Sequence, residues 1–309
     1  MTPTTITAAD AAELLDDRLV TLQVSFHLMT DERKVSTDTI TTDADKDRLR
    51  VAAKLLDCPE RKLLTTIAGK VHTTIRSRFA VPSLLQQGAH AIPVALAVEV
   101  DEYLTTMEAG EWATAIASFI EIYPAARDIS REALGPLFDE SVFPEPEDVL
   151  DLFDMEWLWM SAPSAPQNDR LPPALANRIA RDLATQTAEL VGTIEGALLA
   201  EMRDLSSETA RRLATRADGK RPRVREDHMP KITEALRLIE ARNVTGSSDV
   251  AMLSMQMRSI ISGRGGASSL TASLRDGDAL REAVVADFDG VNRAIAAAIT
   301  DGPTRRMVS

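Results

Sequence analysis

Val20, Leu22, Val24, Phe26 and Leu28 alternate with Thr21, Gln23, Ser25 and His27 in the stretch RLVTLQVSFHLMTD, residues 18–31. A period of two marks a strand with one buried face. A lone strand leaves its backbone groups unpaired, so this one needs partners. Two other stretches supply them. AIPVALAVEV, residues 91–100, puts Ile92, Val94, Leu96, Val98 and Val100 on one side, with Pro93 suited to a strand start or edge. MEWLWM, residues 155–160, alternates again. The pattern predicts a small, mostly antiparallel sheet in the N-terminal half.

Most other segments have helical spacing. A short helix is expected over 8–17, a polar loop over 30–43, and a helix from Asp43 to Leu56 that ends before Pro59. Pro59 suits the first turn of the next helix, to about Arg78, where Leu64, Ile67, Val71 and Ile75 form one apolar stripe. A long helix is expected over 101–122, stopped at Tyr123-Pro124, then a shorter one over 130–138. VFPEPEDVLDLF, residues 142–153, opens another. SAPSAPQNDRLPP, residues 161–173, has four prolines among small polar residues and reads as a linker. Beyond it come helices over 174–218, with a kink or break at Ser206-Ser207, then 230–241, 249–261 and 278–299. The fold class is therefore α+β, predominantly α-helical. An acidic domain with the small sheet covers 1–160, and a helical bundle or long helical hairpin, of the amphipathic kind also found in coiled coils, covers 174–309.

Charge sharpens this division. Of 35 basic and 47 acidic residues, residues 1–160 hold 14 and 28, leaving 21 and 19 for the rest. The first half is thus strongly acidic, a surface that repels a phosphate backbone. Aromatics are scarce at 4%, so the cores must be aliphatic. The single cysteine, Cys58, excludes an intrachain disulfide and a cysteine metal cluster. The N-terminal stretch is acidic with no apolar centre, and no run approaches membrane-helix length. A cytoplasmic protein that avoids membranes is expected.

The motifs are few. His27, His72, His90 and His228 lack metal-site spacing and read as solvated. SGRGGASS, residues 262–269, fits neither phosphate-loop pattern and reads as a flexible interhelical loop. No cofactor is implied. Between Asp139 and Glu156 lie eight carboxylates and no base, a candidate for metal-assisted or acid–base chemistry if they converge. Otherwise Glu147, Asp148 and Asp151 form a charged face beside Trp157 and Trp159, which suits a protein partner. Arg211, Arg212, Arg216, Lys220, Arg221, Arg223 and Arg225 make a basic stretch for nucleic acid, for an acidic partner, or for this chain's own acidic half.

The order of features also resembles a known family. A leading strand, a basic helix ending in RSRFAVP (76–82), and LGPLFDESVFPEPEDVLDLFDMEWLWMSAP (134–163) are similar to a bacterial and phage family catalogued as a domain of unknown function. The resemblance covers residues 15–165 and, more loosely, the helical tail. It carries no catalytic signature. It implies a role beside MoxR-type AAA+ ATPases and von Willebrand A proteins, and cytoplasm, that of the host if phage-encoded. A non-enzymatic interaction or assembly protein, self-associating or docking to such a machine, is the first expectation. A nucleic-acid-associated protein using 211–225 is the alternative, and a metal-dependent enzyme using 139–156 the third.

Overall fold

The structure, a computed structural model, describes residues 15, 17–36, 43, 45, 48–83, 88–161, 172–215 and 222–301. The fold is α+β and mostly helical. β1 (Leu19–His27) is the middle strand of an antiparallel sheet, flanked by β4 (Ala89–Pro93) and β5 (Asp154–Ser161). Opposed residues share a face. Leu22 with Trp159, Val24 with Trp157, and Phe26 with Met155 therefore line one side, together with Ile92 and His90. Helix α1 (Pro59–Thr74) backs that side with its buried stripe of Leu64, Ile67 and Val71, and Ile75 follows in a π turn, Ile75–Phe79. Helices α2 (Ala97–Met107) and α3 (Ala113–Leu134), joined by a second π turn at Glu108–Trp112, complete the first core.

Several expected elements differ. Residues 32–35 and 51–54 are strand where a loop and a helix were expected. There β2 (Glu32–Val35) pairs with β3 (Val51–Lys54) in a separate hairpin. Ala53 and Leu55 are buried as alternate positions, a spacing that a short run shares with a helical reading. The second strand stops at Pro93, not Val100. Leu96, Val100 and Leu104 recur every four residues and are buried as helix, while Val98 points out, 71% exposed. The stop at Tyr123-Pro124 does not occur, because Pro124 lies inside α3. Tyr123 is fully buried and its hydroxyl donates to the Pro144 carbonyl at 2.8 Å, so packing outweighs the lost backbone bond. α3 ends at Gly135, where φ of +48° suits only glycine. VFPEPEDVLDLF forms 3₁₀ turns at Pro146–Asp148 and Leu150–Leu152, not an α-helix.

The second half is all helix: α4 (Pro173–Leu213), α5 (His228–Arg242), α6 (Ser248–Ser262), α7 (Ala267–Asp276) and α8 (Asp278–Asp301). The expected break at Ser206-Ser207 is absent. Ser206 is fully buried and donates to the Phe288 carbonyl of α8 at 3.0 Å, while Ser207 donates to Asn292 at 3.2 Å. α7 is an unpredicted helix at the end of SGRGGASS. The two cores meet at α5, whose Leu238 joins the first while Leu236 and Ile239 join the second. Across this seam Arg78 and Arg237 bridge Glu99 and Glu234 at 2.7–3.3 Å. The expected linker, over 162–171, and the expected first helix, apart from Leu15 and Asp17, lie outside the described residues. Among the described residues no helix is long and apolar enough to cross a membrane.

Candidate functional site

The acidic segment 139–156 is built against α3. Phe143, Val149 and Phe153 are buried in the first core and pin the turns. Arg127, buried on α3, donates to Glu140 and to Glu145, the latter at 3.3 Å. Arg131 reaches Glu140 at 3.1 Å, and Arg33 of β2 pairs with Asp139. The hydroxyl and backbone N–H of Ser141, with Arg33, hold the Asp139 carboxyl below its ordinary range. These clamps leave Glu147, Asp148 and Asp151 exposed, with Leu150 (55%) and Leu152 (38%) on either side of Asp151. The carboxylates thus face arginines or solvent. Among the described residues no three His, Cys, Asp or Glu side chains are grouped to hold a metal ion. The convergence that metal-assisted chemistry over 139–156 would need is not present among them.

Trp157 and Trp159 are not free anchors. Both indole N–H groups donate to one Asp101 carboxylate oxygen of α2, at 2.9 and 3.0 Å, and both rings pack half-buried on the first core. Asp101→Ala should leave two indole donors without their acceptor, costing about 1–3 kcal/mol. A tryptophan emission shift and a lower denaturation midpoint are the readouts. An unchanged spectrum and midpoint would show that Asp101 does not hold the rings.

Two histidines read as solvated are brought together. β4 pairing places His90 opposite Leu22 on the covered face, and α1 lays His72 over it. His72 Nδ1 lies 3.4 Å from His90 Nε2, so one ring donates and the other accepts. Phe26 packs edge-on against His72 at 5.6 Å. Burial, helped by the neighbouring His72 and Arg76, lowers the His90 pKa to about 4, and burial lowers that of His72. Eighteen residues of separation gave no sequence signal for this pair. His27, by contrast, is exposed beside Glu156 at 3.7 Å.

The basic stretch is only partly described, since Arg216, Lys220 and Arg221 lie outside the described residues. Arg211 and Arg212 both grip Glu208, at 2.5 Å each. Arg225 sits 3.8 Å from Asp227. Arg223 and Arg225 line an open cleft with Arg275, which donates to Glu226 at 3.1 Å. Arg211, Arg212 and Arg225 therefore meet acids of the C-terminal half. No protein-family model, curated protein or solved structure matches this chain.

Proposed function

We propose that the protein is an interaction module that presents the ridge 146–152 to a partner protein. The observation that carries the reading is the pairing of exposed Leu150 and Leu152 with exposed Glu147, Asp148 and Asp151 on turns held from behind. Exposed leucines cost solvation unless something covers them, and the flanking acids favour a basic, amphipathic cover. Because the segment is already rigid, little ordering entropy opposes docking. The resemblance in residues 15–165 supports a MoxR-type AAA+ ATPase or a von Willebrand A protein as the partner, in the cytoplasm. The tryptophans of the adjoining strand pack half-buried on the first core and bond to Asp101.

The test is capture of a purified MoxR-type AAA+ ATPase. The full chain should retain it, and Glu147→Lys/Asp148→Lys/Asp151→Lys should lose at least tenfold in affinity, with binding that weakens as salt rises. Equal capture by the triple variant, or none by the parent chain, would remove the ridge from consideration.

A further inference from the structure

The geometry points to self-association of this chain through the free edge of β5, paired antiparallel with β5 of a second copy about a two-fold axis at Leu158. This surface is separate from the ridge 146–152, and the inference does not depend on it. β5 ends the strand order β4-β1-β5. Only β1 pairs with it, and among the described residues no other backbone group bonds to it.

The register shows which groups the edge offers. The Val81 N–H donates to the Ala91 carbonyl at 3.0 Å, so the backbone groups of Ala91 point away from β1. Ala91 lies opposite Thr21. In an antiparallel ladder the groups of one residue point to one side and alternate along the strand. Thr21 therefore faces β5, and Thr21–Met160, Gln23–Leu158 and Ser25–Glu156 are the hydrogen-bonded pairs. Met155, Trp157, Trp159 and Ser161 consequently point their N–H and C=O groups outward. The Met155 N–H is taken locally by the Asp154 carboxylate at 2.8 Å, which agrees with this phase. Trp157, Trp159 and Ser161 have no backbone partner on that side among the described residues.

Edges of this length are ordinarily blunted by lysine, proline or a bulge. DMEWLWMS contains neither lysine nor proline. Its outer face adds Leu158, 57% exposed, and Met160, 38% exposed, beside an open groove lined by Gln23, Ser25, Glu156 and Leu158. An occupant must be an extended strand that covers apolar side chains.

The sequence of β5 favours a second copy. Trp157-Leu158-Trp159 reads the same in both directions, and antiparallel self-pairing matches such a palindrome. Like faces align only if the axis passes through one residue. An axis at Trp157 would set the two Glu156 carboxylates diagonally adjacent, a like-charge penalty. An axis at Leu158 places Leu158 opposite Leu158, and each Trp157 opposite Trp159 of the second copy, where their outward groups meet. The two Glu156 residues are then about 13 Å apart along the strands. Leu158 and Met160 of both copies close over one another, and the sheet becomes six-stranded.

The experiment uses the full chain. Sedimentation equilibrium should show a dimer, and Leu158→Glu should weaken it at least tenfold with an unchanged circular dichroism spectrum, because Leu158 is already exposed. Leu158→Cys should form a disulfide-linked dimer under mild oxidation, since directly opposed non-hydrogen-bonded residues bring their Cβ atoms within about 5 Å. Glu156→Cys should not. The native Cys58 is buried and does not compete. The cross-linking comparison decides the register even if Leu158→Glu fails to fold. A parent chain that stays monomeric at high concentration, a dimer indifferent to Leu158→Glu, or equal cross-linking at both positions would overturn the inference. The monomer result would include the case in which another segment of the same chain covers β5.

Discussion

Lowering the pH from 6.5 to 5 should destabilise the protein by about 1.5 kcal/mol through His90 alone. Its folded pKa of about 4 lies below the ordinary 6.5 because the ring is buried against β1 and faces His72, with the Arg76 charge nearby. A depressed folded value means that the unfolded chain takes up the proton first. The contribution is intact above pH 6.5, declines as pH falls, and is fully lost near pH 4, on the order of 3 kcal/mol in total. His72 and His228, also lowered by burial, act in the same direction. Glu195, raised by burial, acts oppositely. Comparison with His90→Gln separates this histidine from the other groups. Urea midpoints for the parent chain and His90→Gln provide the check. The variant should flatten the slope between pH 6.5 and 5, and an unchanged slope would disprove the assignment.

Glu201→Ala should cost about 3 kcal/mol, the lower end of the range for stranding a buried charge. Arg242, 5% exposed at the end of α5, donates to Glu201 of α4 at 2.6 Å and to the Leu238 carbonyl at 3.3 Å. Leu238 lies in the first core and Ile239 in the second, so Arg242 sits where the cores meet. Removing the carboxylate leaves the guanidinium desolvated and without its counter-charge. The half-exposed position of Glu201 admits water, which keeps the cost below the upper end. Glu201→Ala/Arg242→Met should recover most of the loss, because the stranded charge rather than the pair's attraction dominates. A double variant as weak as the single would contradict that account. Chemical denaturation followed by circular dichroism measures both.

The candidate site was legible in part. The run of carboxylates without bases over 139–156 is plain in the sequence, and Glu147, Asp148 and Asp151 within it are exposed. Their orientation was not legible, because it depends on Arg33 and Arg127 arriving from β2 and α3. Trp157 and Trp159 looked like anchors because sequence does not reveal Asp101, more than fifty residues away, as their shared acceptor. His72 and His90 looked solvated because neither their helix nor their strand betrays the other. The basic stretch 211–225 showed its charge but not that Glu208 grips Arg211 and Arg212 or that Asp227 faces Arg225.

By itself the sequence determined the mostly helical α+β class, the antiparallel sheet around residues 19–27 and the buried stripe of α1. These follow from local periodicity, which the backbone converts directly into a face. Only the tertiary structure decided that Val94–Val100 turns from strand into helix, that α3 runs through Pro124, and that β5 ends the sheet with one side open among the described residues. Short apolar runs satisfy two periods at once, and a proline's lost hydrogen bond is small against a buried tyrosine. Which strand lies at an edge is a property of neighbours in space, and no window along the chain contains them.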